Sequence, residues 1–382
     1  MRIGFITGEY PPMRGGVGAY SHLLARHVRD LGHAVFIYGN QRAAPLDEIP
    51  LEAAVSRWDI GSVRRAKTWA RAHRLDIISL QYQTAAYAMS PYIHFAPELL
   101  RPYPVVTTFH DLRYPYLFPK AGRVRAWIVR RLARASAGVI VTNHEDQIAL
   151  EALRPLLAHC TMIPIGSNID GKVLDDFDPL AWRVGVAVDS CLVAYFGLIN
   201  RSKGIEILLH SLKMLRAEGL SIHLIMIGAG AGSSDESNID YTKDIETLID
   251  QLELRPHITQ TGYLDDAAVA AHLRAADIVA LPFTDGASFR RGTLMAAIQH
   301  GAAILTTTPR VPIPEFTSEH VMIFAPPGDV HGFTEALRGL YGDVQLRADL
   351  RRFAAQLAPQ FAWQRIARET VTAFARVLEQ PR

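Results

Sequence analysis

The feature that most narrows the fold of this chain is a repeated alternation of short, end-to-end apolar runs with longer amphipathic stretches. In the first half, Arg2–Ile6, Ala34–Tyr38, Asp76–Leu80, Val105–Thr108 and Gly138–Thr142 read as strands. Val17–Leu31 reads as a helix, with Val17, Tyr20, Leu24, Val28 and Leu31 in phase and Gly32 as its stop. Further helical stretches lie around 62–74, 91–101, 121–136 and 145–155. A strand that is apolar along its whole length has both faces covered, as in a parallel sheet with helices above and below. The expected class is therefore α/β and doubly wound.

The pattern breaks once. From Met162 to Arg183 periodicity is lost and Gly, Pro and Asp accumulate, which predicts a hinge. A second series follows: strand Leu192–Phe196, helix Ile205–Glu218 closed by Gly219, and strand His223–Ile227. A Gly/Ser-rich loop (228–238), a helix near 241–252, strand Ile258–Thr261, a helix at 266–275 and strand Ile278–Pro282 come next. Strands Ala303–Thr307 and Val321–Phe324, helices at 331–341 and 345–357, and a closing helix Trp363–Glu379 complete it. The 382 residues thus divide into domains at 1–170 and 185–362, with 363–382 expected to return to the first. Two such Rossmann-like domains predict a cleft facing the carboxyl ends of both sets of strands.

Composition excludes several classes. No run of 18 apolar residues is present, and MRIGFITGEYPP lacks the apolar region of a signal peptide, so a cytoplasmic protein is expected. Cys160 and Cys191 offer neither metal spacing nor a disulfide framework. Net charge is +2, but residues 1–164 hold 20 Lys and Arg against 12 Asp and Glu, and the remainder 20 against 26. A basic half suggests an anionic partner. Nucleic acid is not the expected one, because no zinc finger, helix-turn-helix or RNP pattern occurs.

Chemistry-bearing residues gather where strands end. After the first strand, Gly15 and Gly16 precede a helix whose positive end points at the turn, although the spacing is not the G-x-G-x-x-G dinucleotide fingerprint. Strand Val105–Thr108 delivers His110 and Asp111, which suit a sugar hydroxyl, a proton shuttle or a structural role. In the second half, Gly197 opens a turn carrying Arg201 and Lys203. The stretch DGASFRRGTLMAAIQHG runs from strand to helix through Ser288, Arg290, Arg291, Gly292 and Thr293, with amides and arginines suited to a phosphate. Three such turns predict a diphosphate-sized anion site.

The sequence resembles the retaining, GT-B-fold glycosyltransferases of family 4, the glycogen synthase-like and mannosyltransferase group. The resemblance is carried by EYPPMRGGVGAY, VVTTFHD, IPIGSNID, YFGLINRSKGIEILLHSL, IHLIMIGAG, TGYLDDAAVAAHLRAADIVALPF, GTLMAAIQHGAAILTT and FAWQRIA, in that order over nearly the whole chain. It implies that Gly16 lies beside the donor diphosphate and His110 touches the transferred sugar. By the same resemblance Lys203 meets the diphosphate, Gly292 and Thr293 give amides to the phosphates, and the Tyr263 region flanks the base. Two departures stand out. Leu198 occupies the place of the arginine that usually follows Gly197, leaving Arg201 as the nearest substitute, and the family's two glutamates fall on Ser288 and Ala296.

Between Asp111 and Glu145 no acidic residue occurs, while Arg113, Lys120, Arg123, Arg125, Arg130, Arg131 and Arg134 do, interleaved with Tyr114, Tyr116, Phe118 and Trp127. That pattern fits an anionic membrane surface or a solvated helix face. The expected activity is transfer of a sugar from a UDP- or GDP-sugar to a lipid-linked or polysaccharide acceptor with retention. No cofactor or metal is expected, because amides and cations can meet the leaving diphosphate. The expected setting is cytoplasmic, peripheral on the inner membrane face. A GT-B scaffold subunit without activity and a GT-B epimerase or phosphorylase are the alternatives.

Overall fold

The computed structural model describes residues 1–13, 15–112, 122–151, 159–169, 177–183, 185–228, 236–317 and 321–379, without the side chains of 122–126, 151, 236–239 and 317. Two compact units emerge, residues 1–168 with 362–382, and 169–361.

Unit 1 contains β1 (Arg2–Thr7), α1 (Gly16–Asp30), β2 (Ala34–Asn40), β3 (Leu51–Val55), α2 (Ile60–Ala72) and β4 (Ile77–Tyr82). It continues with α3 (Ala96–Leu99), β5 (Val105–Phe109), α4 (Gly122–Ala135), β6 (Gly138–Val141), α5 (His144–Glu151) and β7 (Cys160–Met162). The sheet order is β3-β2-β1-β4-β5-β6-β7, and the paired strands are parallel. Strands β4 and β5 are buried at every position, which is why they read as largely apolar runs interrupted only by buried Ser79, Gln81, Thr107 and Thr108.

Unit 2 contains β8 (Cys191–Phe196), α6 (Ile205–Ala217), β9 (Ile222–Ile227), α7 (Glu236–Gln251), β10 (Ile258–Gly262), α8 (Asp266–Ala275) and β11 (Ile278–Leu281). Then come α9 (Gly292–Gln299), β12 (Ile304–Thr307), α10 (Pro314–Thr317), β13 (Ile323–Ala325), α11 (Val330–Gly342) and α12 (Val344–Leu357). Its parallel sheet runs β10-β9-β8-β11-β12-β13. In both sheets the order reverses beside the first strand of the series, β1 and β8. That places the turns after β1 and β8 at the switch points where α/β proteins hold ligands.

The chain differs from its sequence reading at the sheet edges. Strand β3 was not expected, because Leu51–Val55 is an edge strand of half-buried and exposed positions in which only Val55 is buried. Strand β7 is three residues long at the other edge and takes in Met162, where the hinge was expected to begin. The helix expected over 91–101 is a 3₁₀ turn, Tyr92–Phe95, followed by one turn of α3. Pro91, Pro97 and Pro102 each remove a backbone donor from that stretch. Helix α2 begins at Ile60, two residues before the expected stretch, because Asp59 and Ser62 form a reciprocal cap. Residues 152–158, 170–176 and 229–235 of the expected helix, hinge and loop lie outside the described residues.

The closing helix α13 (Trp363–Leu378) belongs to unit 1. Its buried side packs Trp363, Ile366 and Phe374 into a cluster with Tyr20, Leu24 and Val28 of α1. The Trp363 indole N–H donates to the Ser167 carbonyl at 2.6 Å, and its ring meets Tyr20 at 5.2 Å. Because Phe374 is fully buried, Phe374→Ala is expected to cost about 3–5 kcal/mol. Guanidinium unfolding followed by tryptophan fluorescence measures this. A loss under about 1 kcal/mol rules out an essential role for α13 in the core.

Candidate functional site

Strand β8 ends at Phe196, and the turn behind it folds Lys203 back over the chain. Gly197 has φ +122, a conformation that disfavours side chains. A Cβ there would also stand 2.0 Å from Lys203 Nζ and 2.8 Å from Thr293 Cγ2. Gly197, Lys203 and Thr293 are thus brought to one point from two separate turns. Among the described residues no carboxylate or carbonyl accepts from the Lys203 ammonium. Burial, and then repulsion from Arg291, pull its pKa down to about 7.

Thr293 is the second residue of α9. Its hydroxyl oxygen is enclosed and has no hydrogen-bond partner. Helix α9 starts without a side-chain cap, and its first backbone bonds run from Leu294 and Met295 to the Arg291 carbonyl. The amides of Gly292 and Thr293 are consequently left over, as at any helix start. A desolvated ammonium, an orphan hydroxyl and two helix-start amides lie together in this pair of turns, and donors of that kind suit a phosphate oxygen.

Arg291, expected to meet a phosphate, is engaged within the protein. Its guanidinium pairs with Asp285 and donates to the Ser202 hydroxyl at 3.0 Å. It also lies 4.7 Å from the centre of the Phe283 ring. The Thr284 N–H donates to the Ser202 carbonyl at 3.1 Å. Arg291 therefore clasps the turn after β11 to the turn after β8, which fixes Lys203 against Thr293. Arg290 is half-buried and its N–H donates to Ser288 Oγ at 3.4 Å.

Arg201 is the residue expected to stand in for the arginine absent at Leu198. It is exposed, sits 4.7 Å above the Tyr241 ring of α7 and pairs with Asp244 at 3.6 Å. Tyr263 is 84% exposed just beyond β10. Ser288 is half-buried in the turn before α9, and Ala296 is fully enclosed within it.

In unit 1, His110 follows β5 and its Nε2 lies 2.9 Å from Gln81 Oε1. The Gln81 amide nitrogen donates to Ser79 Oγ at 2.8 Å. The amide oxygen must then face the imidazole, so Nε2–H is the donor and Nδ1 is left as an acceptor. Burial lowers the His110 pKa to about 3. A ring that stays neutral at pH 7 is a hydrogen-bond acceptor for a hydroxyl, not a proton shuttle. Gln81, which sequence reading passed over, shows only as one of two polar residues, with Ser79, in the otherwise apolar run of β4. Gly15 caps α1 without any side-chain help, and Gly16 borders open space.

Of the basic segment, Arg113 and Tyr114 lie outside the described residues, as does the side chain of Arg123. Arg131 turns inward. It donates to Glu98 at 2.6 Å and to the His94 carbonyl at 3.0 Å, with Phe95 beneath its guanidinium. It is thus a clasp onto α3 rather than part of a surface. Trp127, at 57% exposure, shares one exposed face of α4 with Arg130 and Arg134.

Ala296 decides one point by burial alone. Ala296→Glu would place a carboxylate where relative exposure is zero, at an expected cost of about 3 kcal/mol or more. A thermal midpoint equal to wild type, with tighter nucleoside binding, contradicts this and restores the glutamate to its family role.

Two family descriptions match: Glycosyltransferase Family 4 over residues 14–170 and glycosyl transferases group 1 over 190–343. The phosphatidyl-myo-inositol mannosyltransferase of Mycolicibacterium smegmatis is 23% identical, over 99% of this chain and 94% of its own. A D-inositol 3-phosphate glycosyltransferase from Paenarthrobacter aurescens is 26% identical over 50% of this chain and 45% of its own. Among solved structures, sucrose-phosphate synthase from Thermosynechococcus elongatus superposes with a TM-score of 0.79, at 17% identity and 98% coverage of both chains. HepE of Anabaena, solved with UDP and glucose, gives 0.77 at 20% identity, covering 98% of this chain and all of its own. Together with two doubly wound parallel sheets, these matches mean that the chain belongs to the family 4 glycosyltransferases of GT-B fold.

Proposed function

We propose that the chain transfers a sugar from a UDP- or GDP-sugar to a hydroxyl of an inositol-type or other glycolipid acceptor, with retention of configuration and without cofactor or metal. The observation that carries this is the Lys203 ammonium, held without a counter-ion against Gly197 and the orphan Thr293 hydroxyl. As the bond from the anomeric carbon to the diphosphate oxygen breaks, negative charge grows on that oxygen. Lys203, the Thr293 hydroxyl and the amides of Gly292 and Thr293 stabilise it more in the transition state than in the ground state. The acceptor hydroxyl bonds to the carbon from the face the diphosphate leaves and gives its proton to the departing phosphate oxygen, which yields retention. His110, neutral and with Nδ1 as acceptor, binds a sugar hydroxyl. The names of the mannosyltransferase and inositol phosphate relatives, and the UDP complex of HepE, support the choice of acceptor and donor class.

Removing Lys203 tests this. Lys203→Ala is expected to lower turnover by roughly 100-fold or more, about 3 kcal/mol. The thermal midpoint is expected to hold or rise. A lysine whose folded pKa is below its unfolded value lowers stability at neutral pH, so its loss does not destabilise. Near pH 8 the free ammonium is mostly deprotonated, and a bound diphosphate reverses that. UDP binding measured calorimetrically in buffers of different ionisation enthalpy should therefore show uptake of up to one proton in wild type and none in the variant. Wild type that neither binds UDP at millimolar concentration nor hydrolyses a nucleotide-sugar defeats the enzyme reading and leaves the scaffold.

We further propose peripheral binding to an anionic membrane leaflet through Trp127, Arg130 and Arg134 of α4. Among the described residues no helix is long and apolar enough to cross a bilayer. Arg130→Gln with Arg134→Gln should weaken binding to phosphatidylglycerol vesicles by about 1 kcal/mol per charge, with wild-type binding falling as salt rises. Sedimentation of wild type that shows no vesicle binding at low salt excludes the role.

A further inference from the structure

The turn after β1 holds one carboxylate in an unusual setting. Glu9 is half-buried, burial raises its pKa, and among the described residues no group donates a hydrogen bond to it. Its backbone, by contrast, is fixed from several directions. Thr7 Oγ1 donates to the Glu9 carbonyl at 2.6 Å, and Ser21 Oγ lies 3.3 Å from Thr7 Oγ1. A Cβ on Gly8 would stand 2.2 Å from the Ala86 carbonyl oxygen, so residue 8 is pressed onto the turn behind β4. Tyr10 is fully buried, with its hydroxyl 3.1 Å from His22. The chain therefore presents this side chain at a set place and leaves its head group unused.

That place is the start of α1. Glu9 Oε2 would lie 1.9 Å from a Cβ on Gly15. Gly15 has φ −176, an extended backbone open to any residue. The Glu9 head group thus packs directly on the Gly15 backbone at the helix start, and a Cβ there would displace it. Yet Glu9 does not cap the helix, whose N-terminus makes no side-chain cap bond. A desolvated carboxylate with neither cap nor counter-ion costs stability, and such strain persists where a ligand completes the site.

A carboxylate only accepts, so its ligand supplies O–H or N–H donors, and a diphosphate would be repelled. Thr7 is the register partner of Gln81, and Gln81 holds His110. Glu9 and the His110 Nδ1 acceptor therefore stand at the same end of the unit 1 sheet, two acceptors suited to hydroxyl hydrogens. We propose that Glu9 binds hydroxyls of the polyol acceptor and sets acceptor specificity. This rests on the glycosyl transfer proposed above and adds the residue that recognises the acceptor.

The test is Glu9→Gln, which keeps the volume and removes the charge, with Glu9→Asp beside it. Initial rates are measured with phosphatidylinositol in mixed micelles and with myo-inositol 3-phosphate, alongside donor hydrolysis without acceptor. Glu9→Gln is expected to raise the acceptor KM about 10- to 100-fold. Donor KM and acceptor-free hydrolysis should stay at wild-type values, and the thermal midpoint should hold or rise, because the variant removes a desolvated charge. Glu9→Asp should recover part of the acceptor KM, since it restores the charge. An unchanged acceptor KM in Glu9→Gln, or a fall in thermal midpoint with kcat and both KM values altered together, overturns the proposal by making Glu9 structural. Wild type that hydrolyses no nucleotide-sugar and transfers to neither acceptor overturns the transfer reading itself, and Glu9's role falls with it.

Discussion

Burial of both faces of both sheets is the constraint from which the rest of the molecule follows. Strands such as Ile77–Tyr82 and Ile278–Leu281 have no exposed position, so polar chemistry is displaced to their ends. Most of these parallel strands are joined through a helix that returns the chain, and each helix start leaves amides unpaired. The turns after β1, β5, β8 and β11 therefore carry nearly all the residues equipped for chemistry.

Across both units the structure separates charges that hold the protein together from charges that do not. Arg131, Arg291 and Arg183 each meet a carboxylate and a backbone carbonyl, in Glu98 with His94, Asp285 with Ser202, and Asp277 with Ser190. Such pairs hold neighbouring elements in place. Lys203 and Glu9 are the opposite case, partly desolvated with no partner among the described residues. Each is also packed on a glycine whose Cβ would collide with it, Gly197 and Gly15. Removing a charge from water without pairing it is unfavourable, and ligand-binding turns are where such a cost is offset by what binds.

His110 shows how neighbours decide a role that residue type leaves open. By type it serves as acid, base or acceptor. Ser79 engages the Gln81 amide nitrogen, Gln81 then takes the imidazole N–H, and burial keeps the ring neutral. What remains is one acceptor nitrogen. Two residues of β4, Ser79 and Gln81, make that choice, and the register of β4 with β5 brings them to His110.

The sequence by itself determined the fold class, most strands and the turns that matter. These are local properties, set by apolar runs of strand length, helical phase and glycines at strand ends. It missed β3 and β7, edge strands too short or too exposed to leave an apolar run. It did not distinguish Arg131 from Arg130, or Arg291 from Lys203, because pairing depends on partners far along the chain. Glu98 lies 33 residues from Arg131 and Ser202 lies 89 from Arg291. Only the tertiary structure brings those partners within hydrogen-bond reach, and only then does one cation become a clasp while another is left without a partner among the described residues.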